Sequence, residues 1–294
     1  MKTPMVQLDN NLFVKFDMFN EGGSHKTRAA RHIVSEAIKR GDITPGITTV
    51  IEKTGGNFGF GLIKACKELG VDVELAVGLG FSIAKRKYLE SLGAKLIGID
   101  ELKRGKTPKE VIERQLAEAS AYGKQYFYTD QFNNSDGLDG HVVTTGAEVV
   151  QQLSQLTSRK DIIFVSCAGT GACLMGVLQS LESNDFNVTT YFIEPEGCDS
   201  ENGLFVDHRF EGMSVGVTPP FIDWSVIDRK FNVSLVEMLA TQKMFFSTSG
   251  HLIGNTSAAC LHIAKLVSKN TPDKIVFSMI YDHGLWYDDL INTP

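Results

Sequence analysis

The sequence lacks the cysteine and histidine patterns that build disulfide frameworks or metal sites. Its five cysteines form no CxxC pair, and they stand singly at Cys66, Cys167, Cys173, Cys198 and Cys260. Scattered cysteines in odd number are typical of a reducing compartment and give no zinc signal. The seven histidines show no HxH or HExxH spacing, so no metal site is predicted. There is no G-x-S-x-G motif to support a serine hydrolase.

The sequence also has no excess of positive charge and no long apolar run. The formal net charge of −6 argues against a general nucleic-acid partner. The chain does not start with a charged segment followed by an apolar one, and no apolar run is long enough to span a bilayer. We therefore expect a cytoplasmic protein without a membrane partner. The 294 residues, 43% hydrophobic and 22% charged, can form a globular core in two lobes.

What the chain contains is a regular alternation of strand-like and helix-like segments. Short apolar runs on both sides of residues 9–11 predict a hairpin. Strands are predicted at 48–51, 73–77, 95–99, 125–129, 162–165, 188–193 and 274–279. Helices are predicted at 58–69, 83–92, 108–122, 141–156, 171–181, 234–244 and 255–267. This βαβ alternation predicts two α/β lobes with parallel sheets and a cleft between them, divided near the polar stretch 130–140.

Residues 20–28 combine two glycines, a serine and a lysine ahead of a helical pattern. Ser24 is suited to cap that helix, and Lys26 lies in its first turn. The helix dipole destabilises an ammonium there, which favours the nucleophilic free amine that a Schiff-base lysine needs. Taken alone, the motif favours a solvated surface lysine, because most lysines are solvated.

Three more loops join a strand or turn to a helix. Residues 52–59 offer Thr54, glycine amides and the Asn57 amide to an anion such as a carboxylate, although a glycine-rich turn is an equal interpretation. Residues 166–173 bring small residues to a helix start, as phosphate loops do, or form an unliganded tight turn. In residues 250–259, Thr256 either caps the helix or bonds a neutral ring nitrogen.

Together these segments resemble the fold-type II pyridoxal-phosphate enzymes, most closely the cysteine synthase and cystathionine β-synthase branch. The resemblance runs from Thr3 to about Tyr287, with the motifs in the family's order. It implies two three-layer αβα lobes with mostly parallel sheets, like tryptophan synthase β, and an active site in the cleft between them. It also implies a large pyridoxal-phosphate-binding domain (1–19 and 135–294) and a small, mobile domain (20–134) that carries Lys26 and the substrate loop.

The same resemblance implies roles for individual residues. Lys26 falls on the lysine that forms the internal aldimine, and His25, which precedes it, is also expected to contact the cofactor. Residues 54–59 are similar to the family's TSGNTG loop, so the substrate carboxylate is expected at Thr54, Gly55, Gly56, Asn57 and Phe58, with Asn57 also bonding the cofactor's 3′-oxygen. Gln131 falls beside that carboxylate. The phosphate loop falls on Gly169, Thr170, Gly171, Ala172 and Cys173, and Thr256 falls on the hydroxyl partner of the pyridine nitrogen.

The sequence departs from the family at three site positions. Phe58 replaces the second threonine of the substrate loop, and Cys173 replaces a phosphate-binding threonine. Ser214 replaces a glycine in a loop that faces the substrate side chain in relatives, so it is expected to contact the substrate. Because of the change at Ser214, the donor or the nucleophile is expected to differ from that of relatives.

The implied activity is pyridoxal-phosphate-dependent β-replacement on an L-amino acid, through an α-aminoacrylate intermediate and with a second nucleophile. O-acetylserine, O-phosphoserine, serine and cysteine are the candidate donors, and a homodimer is expected. The alternative is β-elimination of the dehydratase or desulfhydrase type. From other classes, a catalytically silent relative is disfavoured by the presence of Lys26, and a nucleotide-binding oxidoreductase by the missing third glycine after Gly171.

Overall fold

The computed structural model describes residues 2–81 and 83–286, so Tyr287, the far end of the predicted resemblance, lies outside them. The backbone divides into two compact units: unit 1 is Met1–Asn20 with Leu138–Pro294, and unit 2 is Glu21–Gly137. The boundaries predicted from the sequence lie at 20 and 134, and the cofactor-binding and mobile roles given to the two domains stay predictions. No helix in the described part of the chain is long and apolar enough to cross a membrane.

Strands and helices alternate along the described chain. The strands are β1 (Met5–Asp9), β2 (Leu12–Phe16), β3 (Thr48–Glu52), β4 (Asp72–Leu75), β5 (Lys95–Leu96), β6 (Gln125–Tyr128), β7 (Asp161–Ser166), β8 (Asn187–Pro195), β9 (Arg229–Val233) and β10 (Ile275–Ile280). The helices are α1 (Lys26–Arg40), α2 (Asn57–Leu69), α3 (Ile83–Ser91), α4 (Ile99–Lys103), α5 (Pro108–Ala117), α6 (Asp136–Gly140), α7 (Ala147–Leu156), α8 (Ala172–Glu182), α9 (Leu235–Ser249) and α10 (Asn255–Asn270). A π-helical turn, His141–Gly146, joins α6 to α7.

Unit 1 is built on a six-stranded sheet in the order β1-β2-β10-β7-β8-β9. The β1–β2 hairpin is antiparallel and every other neighbouring pair is parallel. The central strands β7 and β10 are apolar almost throughout and are buried, as expected for a parallel sheet covered on both faces. The predicted hairpin is confirmed.

Unit 2 is built on a four-stranded sheet in the order β5-β4-β3-β6, in which all pairs are parallel. Its central strand β3 is buried along its whole length. The two sheets therefore confirm the predicted mixed α/β architecture with mostly parallel strands. Because the strands of each sheet run the same way, the loops that follow them gather at one edge of that sheet.

Two strands differ from the prediction. The segment 95–99 forms a strand over two residues only, and the chain then turns through Gly98 into α4. The strand β9 lies in a region for which no strand is predicted. It is polar and pairs only with β8 at the sheet edge, so it shows no apolar run.

Candidate functional site

Lys26 is the first residue of α1 in unit 2, as predicted. The buried Ser24 hydroxyl accepts a hydrogen bond from the Lys26 backbone N–H at 3.3 Å. Ser24 therefore binds an amide that the helix itself leaves unpaired, although His25 is the residue immediately before the helix. Further along α1, Ala30, Ile33 and Val34 are fully buried and anchor the helix in unit 2.

The start of α1 packs closely on the first turns of α2. A Cβ atom at Gly61 would lie 2.8 Å from the backbone N and Cα of Thr27, and 3.1 Å from the carbonyl carbon of Lys26. Only a glycine lets the two helix backbones approach this closely. The contact places Lys26 beside the helix that begins at Asn57, so unit 2 brings these two predicted site residues together.

The Thr54–Phe58 loop connects β3 to α2. Gly56 precedes the helix in an extended conformation, and Asn57 is the first helical residue. The amides of a helix's first turn have no carbonyl partner within the helix and favour an anion. Phe58 is 3% exposed, so its ring is packed away and its backbone amide is the group it can offer to a ligand.

Gln131 follows β6, the strand beside β3, and is linked to the Thr54–Phe58 loop through Glu52. One oxygen of the buried Glu52 carboxylate accepts the Lys53 N–H at 2.8 Å. The other oxygen accepts the Thr129 hydroxyl at 2.6 Å and the Gln131 N–H at 3.3 Å. The pattern of residues 52–59 assigns no role to Glu52, although a carboxylate at the end of a buried strand is a signal that could have identified it.

In unit 1, the predicted phosphate loop runs from β7 into α8. Gly171 has a φ of +92°, and a Cβ atom on it would lie 3.0 Å from the Ile222 backbone N. A Cβ atom on Gly169 would lie 2.7 Å from the carbonyl oxygen of Gly212. The Thr170 hydroxyl accepts the Ala172 N–H at 3.3 Å, which tightens the turn. The loop is thus a narrow cradle of backbone at the start of an eleven-residue helix.

Gly212 connects three of the predicted site segments of unit 1. Its carbonyl lies against Gly169, and the position of its missing Cβ is 3.8 Å from the Thr256 Cγ2 atom. The neighbouring Ser214 donates its backbone N–H to the Ala168 carbonyl at 3.2 Å. The structure therefore brings the phosphate loop, Ser214 and Thr256 together within unit 1.

The hydroxyl of Ser214 is engaged inside the protein. It lies 3.0 Å from the Ser200 hydroxyl, and the Ser200 N–H donates to the buried Glu194 carboxylate at 2.8 Å. Ser214 has a φ of +47°, so its backbone adopts the left-handed conformation that glycine accepts most easily. Burial raises the pKa of Glu194. The predicted contact of Ser214 with substrate stays a prediction.

His208 binds backbone groups in the segment that contains Ser214. The Phe210 N–H donates to the His208 Nδ1 at 3.1 Å, so the ring proton belongs on Nε2. The Nε2 atom lies 3.0 Å from the Ser214 carbonyl oxygen, to which it donates. Neither His208 nor Ser200 is identified from the sequence, because both act through contacts in the irregular segment between β8 and β9.

The chemistry of these groups fits the predicted cofactor. Unit 2 supplies a primary amine at a helix start and an anion-binding loop. Unit 1 supplies a backbone cradle suited to a phosphate and, in Thr256, a hydroxyl at the start of α10. The individual roles of these residues stay predictions.

The chain matches the family described as "Pyridoxal-phosphate dependent enzyme" over residues 1–280. It is 28% identical to a cysteine synthase of Aquifex aeolicus over 286 residues, which covers 95% of this chain and 83% of that protein. The solved O-acetylserine-dependent cystathionine β-synthase of Helicobacter pylori superposes with a TM-score of 0.83 at 25% identity, covering 98% of this chain and 94% of that one. A solved O-ureido-L-serine synthase gives a TM-score of 0.85 at 28% identity, covering 99% and 91%.

Proposed function

Because the chain belongs to the pyridoxal-phosphate-dependent enzyme family, we propose that it catalyses β-replacement on an L-amino acid carrying a leaving group at Cβ. Its cofactor is pyridoxal 5′-phosphate. The cysteine synthase and O-acetylserine-dependent relatives support this reaction and favour O-acetylserine among the candidate donors, ahead of O-phosphoserine, serine and cysteine. The observation that carries the proposal is the placement of Lys26 at the first residue of α1, packed against the helix of the Thr54–Phe58 loop.

The residues that would hold pyridoxal phosphate are those of the family's cofactor motifs. Lys26 would hold it covalently through its amine, with Asn57 beside it on α2. The Gly169–Cys173 loop would hold the phosphate through backbone amides, since its glycines leave no room for side chains. Thr256 would place its hydroxyl at the ring nitrogen. Replacement of the family's threonine by Cys173 is compatible with this arrangement, because the amides do not depend on that side chain.

When bound, pyridoxal phosphate accepts the electrons released as the substrate Cα–H bond breaks, which allows a group on Cβ to leave. Lys26 would remove the proton from Cα as general base and return it at the end of the cycle. Its position at the helix start favours the neutral amine that this task needs.

The substrate carboxylate would be bound by unit 2. The Thr54 hydroxyl and the amides of Gly55, Gly56 and Phe58 surround a helix start that favours an anion. Gln131 would reach the same carboxylate from the end of β6. By holding the carboxylate, these residues would orient the Cα–H bond and exclude water that would otherwise divert the reaction toward elimination.

The experiment is a set of single-donor incubations of the purified holoenzyme. O-acetylserine, O-phosphoserine, serine and cysteine are added in turn, and the visible absorbance of the cofactor is followed with and without sulfide. We expect one donor to change the cofactor absorbance. Added sulfide should reverse that change as cysteine forms. Pyruvate released without a second substrate would favour β-elimination, and no response to any donor would refute the proposed substrate class.

A lysine comparison tests the cofactor residue. We expect Lys26→Ala to lose the visible absorbance of the bound cofactor and more than about 10³-fold in kcat, since the residue holds the cofactor and moves the proton. Lys39→Ala, in the exposed last turn of the same helix, is the matched control and should keep both. Equal activity in the two variants would contradict the role of Lys26.

We also propose a cytoplasmic homodimer. All five cysteines are buried free thiols, which suits a reducing compartment. Light scattering of the purified protein tests the dimer, for which the expected mass is twice that of one chain.

A further inference from the structure

Glu52 is a fully buried carboxylate that binds two separate segments of unit 2. Its Oε1 atom accepts the N–H of Lys53, at the entry to the Thr54–Phe58 loop. Its Oε2 atom accepts the hydroxyl of Thr129 and the N–H of Gln131, in the turn that follows β6. One side chain therefore sets the distance between two segments that are more than seventy residues apart in the sequence.

The donors to this carboxylate are neutral groups, which makes its burial costly. Burial raises the pKa of Glu52 and nearby Asp130 raises it further, while the three hydrogen bonds act in the opposite direction. A buried charge without a cation among these donors is a poor source of stability compared with an apolar side chain of similar size. The contribution of this carboxylate is therefore geometric, since hydrogen bonds to a carboxylate are strong and directional.

The turn after β6 is shaped to reach Glu52. Asp130 has a φ of +41°, a left-handed conformation that swings the Gln131 N–H back toward the carboxylate. The Asn134 side chain donates to the Thr129 carbonyl at 3.0 Å and braces the same turn. A non-glycine residue in this conformation stores strain, which the bonds to Glu52 and Asn134 offset.

We propose that Glu52 is a positioning residue for the substrate carboxylate. It touches neither substrate nor cofactor, but it holds the Thr54–Phe58 loop and Gln131 at the spacing that a carboxylate between them requires. This inference rests on the proposed function, in which those two segments bind the substrate carboxylate.

The variant Glu52→Gln separates the shape of this side chain from its hydrogen bonding. A carboxamide has one accepting oxygen and one donating nitrogen. The Thr129 hydroxyl can reverse and accept, but the backbone N–H groups of Lys53 and Gln131 cannot. Whichever way the amide turns, one of those two N–H groups faces a second donor, so one segment is released.

Glu74 supplies a matched control on the adjacent strand. It is also buried, and it lies in register with Ile51, next to Glu52. Its partners are the side chains of Lys95, Lys124 and Tyr126, none of which belongs to the candidate site. Glu74→Gln therefore disturbs a buried carboxylate in the same sheet without touching either loop.

The test compares wild-type, Glu52→Gln and Glu74→Gln holoenzymes on a donor amino acid and on its carboxamide. We expect Glu52→Gln to raise KM for the donor about tenfold with a smaller change in kcat, and to reduce the preference for carboxylate over carboxamide about tenfold, as loss of one hydrogen bond to a charged group implies. Its cofactor absorbance should be unchanged. Glu74→Gln should keep the wild-type preference. An unchanged preference in Glu52→Gln, or an equal fall in both variants, would overturn the inference.

A second pair of variants covers the case in which Glu52→Gln does not fold. Thr129→Val removes the hydroxyl donor to Oε2, whereas Thr129→Ser keeps it. We expect only Thr129→Val to raise KM for the donor, by about three- to tenfold; identical KM values for the two would overturn the inference. A wild-type enzyme that turns over no donor would instead refute the proposed function, and the inference with it.

Discussion

The glycine-rich loops of the two units keep their shape by different means. In unit 1, the phosphate loop packs largely on backbone atoms, with Gly169 on the Gly212 carbonyl and Gly171 on both the backbone N and the side chain of Ile222. In unit 2, a Cβ atom on Gly55 would instead meet side chains, at 2.5 Å from Val77 Cγ1 and 2.8 Å from Phe81 Cδ2. The unit 2 loop also depends on the Glu52 carboxylate at its entry.

The difference suits the proposed roles. Backbone atoms move aside less readily than side chains, so the amides of the phosphate loop are expected to keep one geometry for a permanently held phosphate. A loop bounded by side chains and hydrogen bonds can shift by small amounts as a substrate carboxylate arrives and leaves. The comparison also predicts that the two loops respond differently to the same substitution.

Gly171→Ala is the change with the largest expected effect. The left-handed φ and the close Ile222 amide both penalise a side chain, so we expect a loss of about 3 kcal/mol in the free energy of unfolding. The cofactor should also dissociate on dialysis. Urea unfolding and the retained cofactor absorbance measure the two effects. A variant as stable as the wild type would show that this loop can adjust after all.

Gly55→Ala should cost less, about 1–2 kcal/mol, because the Val77 and Phe81 side chains can rotate away. Gly56→Ala is the control in the same loop. Its φ is −100° and no atom lies within 4 Å of the added Cβ, so its stability should stay within about 0.5 kcal/mol of wild type. The same urea titrations apply. If Gly55→Ala were as damaging as Gly171→Ala, the two loops would be equally rigid.

Much of the fold that positions these loops could be predicted from the sequence. The βαβ alternation indicates both parallel sheets, and loops that follow their strands are the expected binding positions. The placement of Lys26 in the first turn of α1 follows from local pattern alone, since Ser24 precedes a helical spacing of apolar residues. These features depend on neighbouring residues, which a sequence displays directly.

The contacts that hold the loops could not be predicted in this way. Glu52 meets Thr129 only because β6 pairs with β3, and the sequence does not state which strands are neighbours. Ser200 meets Ser214 inside an irregular segment that has no periodic pattern. The edge strand β9 is polar and gives no apolar signal. Each case depends on long-range pairing, which the local pattern leaves open.

Variants of Ser214 test whether backbone conformation or hydrogen bonding contributes more to the stability of this loop in unit 1. Ser214→Gly and Ser214→Ala both remove the hydroxyl bonded to Ser200, but only glycine relieves the left-handed strain. We expect the glycine variant to be more stable than the alanine variant by about 1 kcal/mol in urea unfolding. Ser200→Ala removes the same hydrogen bond and leaves the backbone strain at Ser214 unchanged, so it serves as the control. Equal stability of the two Ser214 variants would mean that the backbone conformation costs nothing.

The smallest expected effect concerns the buried glutamates, Glu52 in unit 2 and Glu194 in unit 1. Burial raises the pKa of both above the usual 4.5, and Lys230 partly opposes this at Glu194. As pH rises above about 4.5, the unfolded chain releases its proton first, so the wild type loses stability until the folded pKa is passed. Glu52→Gln and Glu194→Gln lack this titration. The stability of each relative to wild type should therefore increase with pH.

Glu101→Gln provides the opposite sign in the same measurement. The Arg114 guanidinium lowers the pKa of Glu101, so this ion pair contributes stability above pH 4.5 that is lost on acidification. Its glutamine variant should therefore fall further below wild type as pH rises. Urea titrations between pH 4 and pH 8 measure the free energy of unfolding of the wild type and of the three glutamine variants. A stability difference for Glu52→Gln that declined with pH, as expected for Glu101→Gln, would show that the three hydrogen bonds at Glu52 outweigh its burial. The charged Glu52 carboxylate that holds the unit 2 loop would then stabilise the fold. The loops of the two units would differ only in how strongly they are held.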